Sequence, residues 1–281
     1  MNPKARKQFA QHWLRSEKVL QKIVTAAKLQ QSDRLLEIGP GTGILTRRLL
    51  PAVESVLAVE IDRDLCELLV KKLGNNDNFL LLQGDFLSLD LTNQLSEFPN
   101  FQKLNKVVAN IPYHITGPII QKLIGTIAQP ALPGFELIVL LVQKEVAQRL
   151  YAKPGSKAFG ALSVRVQYLA ECELICDVPS VAFYPPPKVD SAVVRLRPRV
   201  VEPPADNPKH LEMLLKLGFS SKRKMLRNNL KSVVKVINQA SSVELDLTNL
   251  LEQLEVNPQA RAEELSVAQW VALSNTLAPK S

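Results

Sequence analysis

Asn110-Ile111-Pro112-Tyr113 follows the apolar run Val107-Val108-Ala109 and leads into His114-Ile115-Thr116-Gly117. Asn and Pro are common turn formers, so a strand followed by Asn-x-Pro is by itself ordinary punctuation. The same residues can also act on a planar amine. An amine conjugated with an aromatic ring, such as that of adenine, is a poor nucleophile because its lone pair is delocalised. The Asn110 side-chain oxygen and the Ile111 carbonyl can each accept one of its N–H bonds. That draws the nitrogen towards a tetrahedral shape and frees the lone pair. Pro112 stiffens the turn, and Tyr113 offers a ring on which a base can stack. No general base is required, because the nitrogen turns strongly acidic once alkylated and water takes the proton.

A second cluster of chemistry-bearing residues lies upstream. The stretch LLEIGPGTGILT (35–46) places Gly39, Gly41 and Gly43 between an apolar strand and a helix, where glycine lets the backbone approach a ligand closely. Its pattern is E-x-G-x-G-x-G, with Glu37 two residues ahead of the first glycine, and not the G-x-G-x-x-G of a dinucleotide site. Glu60 ends the strand in AVEID, where a carboxylate can accept from both ribose hydroxyls. Asp85, in QGDF, can accept from an adenine amino group. Either acid alone is as readily a helix cap or a solvated charge. Together with the glycines they line one edge of one sheet, and that combination favours a nucleoside. Further on, FYPPPKV (183–189) is a proline-stiffened segment. Its residues leave two readings open: Phe183 belongs to the core, or it covers the other face of the base.

These residues need a scaffold, and the periodicity supplies one. Strands are expected at 35–38, 56–60, 79–83, 106–109, 137–142 and 191–197, with helices at 17–30, 44–50, 65–73 and 119–127. Strands alternating with helices, several too apolar for one-sided burial, specify an α/β fold with a parallel sheet covered on both faces. The segment PRVVEPPADNP (198–208), with four prolines, reads as a linker, and from 210 to about 277 the pattern is helical without strands. Two domains follow, 1–200 and 201–281. Residues 209–236 carry eight Lys or Arg against Glu212 alone, whereas 237–281 are net acidic. A helix over 221–237 would put Leu226, Leu230, Val233, Val234 and Ile237 on one face and Lys224, Arg227, Lys231 and Lys235 on another. A basic surface of this kind suits RNA phosphates.

Bulk properties agree. The 281 residues hold 35 Lys+Arg against 27 Asp+Glu, a net charge of +8, with a pI near 9.4, which points to a polyanionic partner. The longest apolar stretch, 137–142, is strand-sized, and the basic N-terminus lacks the apolar core of a signal peptide, so neither a membrane span nor export is expected. Cys66, Cys172 and Cys176 form no CxxC pair, and His12, His114 and His210 are scattered. A reducing cytoplasm is expected, with no disulfide and no metal site.

Taken together, the motifs resemble those of the S-adenosylmethionine-dependent rRNA adenine dimethyltransferases, which modify two adjacent adenosines near the 3′ end of small-subunit rRNA. The likeness rests on RKQFAQHWL (6–14), LEIGPGTGILT (36–46), VEID (59–62), GDF (84–86), NIPYHIT (110–116), LVQKEVAQRL (141–150), KAFGALSV (157–164), FYPPPKVDSAVVRL (183–196) and FSSKRKMLRNNL (219–230). These run in the family's order over nearly the whole chain. The resemblance implies a seven-stranded Rossmann-like methyltransferase domain followed by a small helical domain. It implies cofactor contacts from Gln11, His12, Leu14, Gly39, Gly41, Glu60, Ile61, Asp85, Phe86 and Asn110, and release of S-adenosylhomocysteine. Catalysis falls to Asn110, Ile111, Pro112, Tyr113 and Phe183, with Tyr113 and Phe183 stacking on a flipped adenine. RNA contacts fall to Lys188, Lys222, Arg223, Lys224, Arg227 and Lys231. The implied substrate is small-subunit rRNA within a pre-ribosomal particle, and the implied state a monomer. His12 stands where the family commonly has Asn, so a contact made by its side chain would make cofactor affinity pH-dependent, while a backbone contact would not. Two alternatives share part of the pattern: a large-subunit rRNA adenine methyltransferase conferring antibiotic resistance, and a non-catalytic assembly or transcription factor built on the same fold.

Overall fold

The structure is a computed structural model that describes residues 11–131, 134–240 and 245–278. Residues 6–10 of the first motif lie outside the described residues. Nine strands are present among those described: β1 (Trp13–Leu14), β2 (Arg34–Ile38), β3 (Ser55–Glu60), β4 (Phe79–Gln83), β5 (Lys106–Asn110), β6 (Leu137–Gln143), β7 (Ala170–Val178), β8 (Phe183–Tyr184) and β9 (Ser191–Pro198). Seven form one sheet in the order β4-β3-β2-β5-β6-β9-β7, and β1 pairs with β8 in a separate two-stranded ribbon.

The pairs β3·β4, β2·β3, β2·β5 and β5·β6 are parallel, and β6·β9 is antiparallel. Every residue of β3 is buried, as are the first six of β6, which is why both read as unbroken apolar runs. The six expected strands are present. The sequence reading missed β7, where exposed Glu171, Glu173 and Asp177 alternate with less exposed neighbours at the sheet edge. Such a half-solvated strand lacks the apolar run that identified the others.

Local chemistry explains the helix that follows β3. Asp62 caps it by accepting from the Asp64 N–H, and Leu65, Cys66, Leu69 and Leu73 bury one face of Arg63–Leu73. Lys71 and Lys72 meet the negative end of its dipole. The first helix ends earlier than the expected residue 30, spanning Glu17–Ala26, and Lys28 adopts a φ of 46°. Its carbonyl is drawn out of the helical ladder to accept from the Lys106 ammonium at 2.7 Å.

The chain forms two compact units. The first comprises 1–124, 131–147 and 172–198, and the second 125–130, 148–171 and 199–281. The second is helical, with Pro208–Gly218, Leu247–Gln253 and Val267–Leu277 burying Leu211, Leu214, Leu215, Leu251 and Trp270. Its basic stretch is not the single helix expected over 221–237. Two helices, Leu226–Asn229 and Lys231–Ala240, are preceded by a turn holding Lys222, Arg223 and Lys224. Hydrogen bonds outside the helical ladder impose the break, one of them to a residue 34 positions on. The Leu226 N–H donates to the Ala260 carbonyl, and the Asn229 amide donates to the carbonyls of Gly218 and Ser221. No helix of the described residues is long and apolar enough to cross a membrane.

Beneath the sheet's amino edge, Lys106 and Asp33 form a buried ion pair at 2.7 Å, with side chains 8% and 3% exposed. Burial pushes the Asp33 carboxyl up, but hydrogen bonds from Lys106, Asn105 and Gln30 outweigh it and hold the group below its ordinary value. Removing one partner leaves the other charged and dry. Lys106→Met is expected to cost about 3–5 kcal/mol in urea unfolding, and adding Asp33→Asn should recover much of the loss. Equal stability of parent and single variant would contradict this.

Candidate active site

Strand order reverses between β2 and β5, and open α/β sheets bind ligands in the crevice outside the carboxyl ends at such a point. Here the glycine loop leaves β2 and the Asn110–Tyr113 turn leaves β5. Glu60 ends β3, and Asp85 follows β4 by two residues. A cleft of ≈ 770 Å³, counting the space open to solvent at its mouth, is lined by Gln11, His12, Trp13, Gly39, Gly41, Glu60, Ile61, Asp85, Phe86 and residues 110–113 among others.

Gly41 has a φ of 59°, a backbone sign that favours glycine, and a Cβ there would crowd the Trp13 indole at 3.2 Å. Glu60 is 5% exposed and spends its carboxylate on three backbone N–H groups. Oε2 accepts from Gly41 at 3.1 Å, and Oε1 accepts from Ile61 and Asp62, each at 3.0 Å. It thereby ties the glycine loop to the neighbouring strand. Burial pushes its pKa up, and the three N–H donors offset part of that. The Gly84 N–H donates to the Glu60 carbonyl at 2.8 Å, which links the β4 end to the β3 end. Asp85 Oδ1 accepts from the Leu87 N–H at 2.9 Å and Oδ2 from the Ser88 hydroxyl at 3.3 Å.

The Asn110 amide nitrogen donates to the His12 carbonyl at 3.2 Å, which leaves Oδ1 as its acceptor atom. Tyr113 shares a 2.6 Å hydrogen bond with the Ser191 hydroxyl, and the His12 ring stacks on its ring with centroids 5.8 Å apart and planes at 21°. The Nδ1 of His12 contacts the Pro185 carbonyl oxygen at 2.7 Å. Ile111 is 1% exposed. Leu14 and Phe183 do not line the cleft. They are 3% and 4% exposed and pack in the core, paired across the β1·β8 ribbon. Lys188 is exposed. In the second unit Lys222, Arg223, Lys224 and Lys231 are exposed and Arg227 half-buried, and Arg227, Asn228 and Lys231 line a shallow groove.

Three residues escaped the sequence reading of the site. Trp13 packs on the glycine loop, although only its place in a motif marked it. Lys122 donates to the carbonyls of Phe86, Leu87 and Leu89 at 2.6, 3.0 and 2.8 Å and lies 5.0 Å from the Phe86 ring. Nothing in the sequence signals that clamp on the Asp85–Phe86 loop. Glu37, the acid two residues before the first glycine, is 1% exposed with Oε2 unpartnered among the described residues, a burial that its place in the motif does not signal.

Sheet order, glycine loop and acids at the carboxyl edge define a Rossmann-like methyltransferase. A model of the ribosomal RNA adenine dimethylase family matches residues 2–279. The protein named ribosomal RNA small subunit methyltransferase A of Nostoc sp. is 69% identical over 97% of each chain, and that of Rippkaea orientalis 64% identical over 98% of each. Among solved structures, a dimethyladenosine transferase from Plasmodium falciparum matches with a TM-score of 0.76 and 31% identity, covering 93% of this chain and 96% of that one. The 23S rRNA methyltransferase ErmE matches at 0.71 with 27% identity, covering 94% and 99%. This chain belongs to the ribosomal RNA adenine dimethylase family.

Burial raises the Glu37 pKa to about 8, and the nearby charge of Glu60 adds to this. The Thr46 hydroxyl, close but outside full hydrogen-bonding geometry, offsets a part. A raised carboxyl is protonated in the folded state where the unfolded chain has already ionised, so it lowers stability progressively between pH 4.5 and about 8. Glu37→Gln should remove that slope. Its stability relative to the parent is expected to improve across this window in denaturant titrations, and a constant difference would contradict the assignment.

Proposed function

We propose that this protein transfers methyl groups from S-adenosylmethionine to the exocyclic amines of two adjacent adenosines near the 3′ end of small-subunit rRNA, during assembly of the small subunit in the cytoplasm. The observation that carries the reading is the convergence of the Asn110–Tyr113 turn with Gly41, Glu60 and Asp85 on one cleft. The small-subunit substrate is supported by relatives that reach 69% identity, against 27% for the large-subunit enzyme.

The residues present fit the cofactor. The cleft opens at the carboxyl edge of the sheet, where open α/β sheets bind ligands. The Gly41 backbone has no side chain to hold a ligand away; Glu60 Oε2 and the two Asp85 oxygens, each with one donor already, keep a second lone pair for a ribose hydroxyl and an adenine amine. Gln11, His12, Ile61 and Phe86 complete the walls, and Lys122 holds the Phe86 loop in place. When bound, S-adenosylmethionine supplies an electrophilic methyl group and leaves as S-adenosylhomocysteine.

With its amide nitrogen committed to the His12 carbonyl, Asn110 presents Oδ1 to one N–H of the target amine, and the Ile111 carbonyl accepts the other. Pro112 fixes the turn. Tyr113, anchored through its hydroxyl to Ser191, stacks on the base. Phe183 stands in the core and supports the ribbon that carries the cleft wall, and this reading gives it no face of the base. Lys188 and the cations of the second unit, Lys222, Arg223, Lys224, Arg227 and Lys231, contact RNA phosphates.

Asn110→Ala should lower single-turnover methylation, measured at saturating cofactor, by roughly 10²–10³ while RNA affinity stays near the parent's, since the variant lacks one preorganised polar acceptor for the reacting group. A near-normal rate would sink the amine-activation mechanism. Replacing Lys224, Arg227 and Lys231 together should leave cofactor affinity unchanged and weaken binding to small-subunit particles. The log–log salt slope should flatten by about 0.9 for each duplex phosphate that is no longer neutralised. Parent-like affinity and slope would return that surface to solvent.

A further inference from the structure

The β1·β8 ribbon sorts its side chains by face. Residues directly opposite in an antiparallel pair point the same way, and neighbours along a strand alternate. Leu14 pairs with Phe183, and both point into the core. Trp13 pairs with Tyr184, so Tyr184 shares the face on which Trp13 lines the cleft. The Arg15 N–H donates to the Ala182 carbonyl at 2.8 Å, extending the pairing by one residue and returning Arg15 to the Trp13 side. Tyr184 is 52% exposed, and the Arg15 guanidinium sits over its ring, 4.0 Å from the centroid. No hydrogen bond or ion pair to the Arg15 side chain occurs among the described residues, so the ring positions the cation while its N–H donors stay uncommitted.

An exposed aromatic ring with a guanidinium on one face, beside a cleft for a flipped base, has a specific use. A nucleotide turned out of its stack leaves its neighbour without a stacking partner on that side, and that loss opposes flipping. A protein surface recovers it by offering a ring to the neighbouring base and a cation to its phosphate. We propose that Tyr184 and Arg15 form a stacking site at the rim of the cleft for the unpaired nucleobase adjacent to the target adenine. The base lies on the ring face opposite the guanidinium, and Arg15 contacts the phosphate. Sorting by strand period explains the use of Tyr184 here, since the preceding aromatic, Phe183, is turned inwards. The proposal rests on the RNA-methyltransferase reading above and adds residues which that reading does not employ.

The test uses the full-length protein and short single-stranded RNAs with two adjacent adenosines, carrying 2-aminopurine on one side or the other of the pair. The parent should quench the probe on one side. Tyr184→Leu should abolish that quenching and raise KM for the RNA about tenfold or more with kcat little changed, whereas Tyr184→Trp should retain both. Arg15→Gln should reduce the log–log salt slope of binding by about 0.7, the value for one single-strand phosphate contact. Affinity for S-adenosylmethionine, measured by calorimetry, should be parent-like in all three variants. Absence of quenching by the parent, or parent-like quenching and KM in Tyr184→Leu, would overturn the proposal. So would a Tyr184→Leu variant with weakened cofactor affinity, because the ring would then act on the cleft itself. A parent that quenches the probe but methylates neither RNA nor small-subunit particles would instead overturn the function proposed above, and the comparison of quenching would still decide this site.

Discussion

Parallel pairing gives a sheet a single carboxyl edge, and the loops of this site depend on that constraint. With β4, β3, β2, β5 and β6 all parallel, the turns after four of them emerge on one side. Glycines, two acids and an asparagine separated by up to 71 positions in the chain thereby meet in one cleft. The reversal of strand order between β2 and β5 opens the crevice between the glycine loop and the Asn110 turn. Every residue of β3 is buried, which fixes where the Glu60 carboxylate can lie.

Preorganisation is achieved with backbone groups as much as with side chains. Glu60 gathers the amides of Gly41, Ile61 and Asp62, the His12 carbonyl holds the Asn110 amide, and Lys122 draws three carbonyls of the Asp85 loop together. Each of these bonds ties a loop of the cleft to a neighbouring element, so the lining is held in one arrangement before any ligand arrives. The cost appears at Glu37, a buried carboxyl held neutral beneath the glycine loop, and it is offset by the apolar packing of the strands around it.

The β1·β8 ribbon is short, yet it does more than its length implies. Two residue pairs place Leu14 and Phe183 in the core and put Trp13 and Tyr184 on the opposite face, where Trp13 packs on the glycine loop, so one element both seals the hydrophobic cluster and builds the cleft wall. Stacking of His12 on Tyr113 and its contact with Pro185 bind the ribbon to the Asn110–Tyr113 turn. In a sheet the side-chain period is two, so a shift of one residue in this pairing would exchange the core and cleft faces.

Local pattern in the sequence determined the six apolar strands, the glycine turn, the acids at two strand ends and the Asn-Ile-Pro-Tyr turn, because apolar runs and turn chemistry depend on near neighbours. Long-range partners decided the rest. The first helix stops at Ala26 where Lys106 claims a carbonyl 78 positions away, and the basic stretch splits into a turn and two helices where Ala260, Gly218 and Ser221 compete for its hydrogen bonds. The edge strand β7 escaped notice because its solvated face interrupts the apolar signal. Which of Phe183 and Tyr184 turns into the core depends on register against Trp13 and Leu14, some 170 residues earlier. Periodicity in one segment carries no information about the register of another, so only the folded chain could settle it.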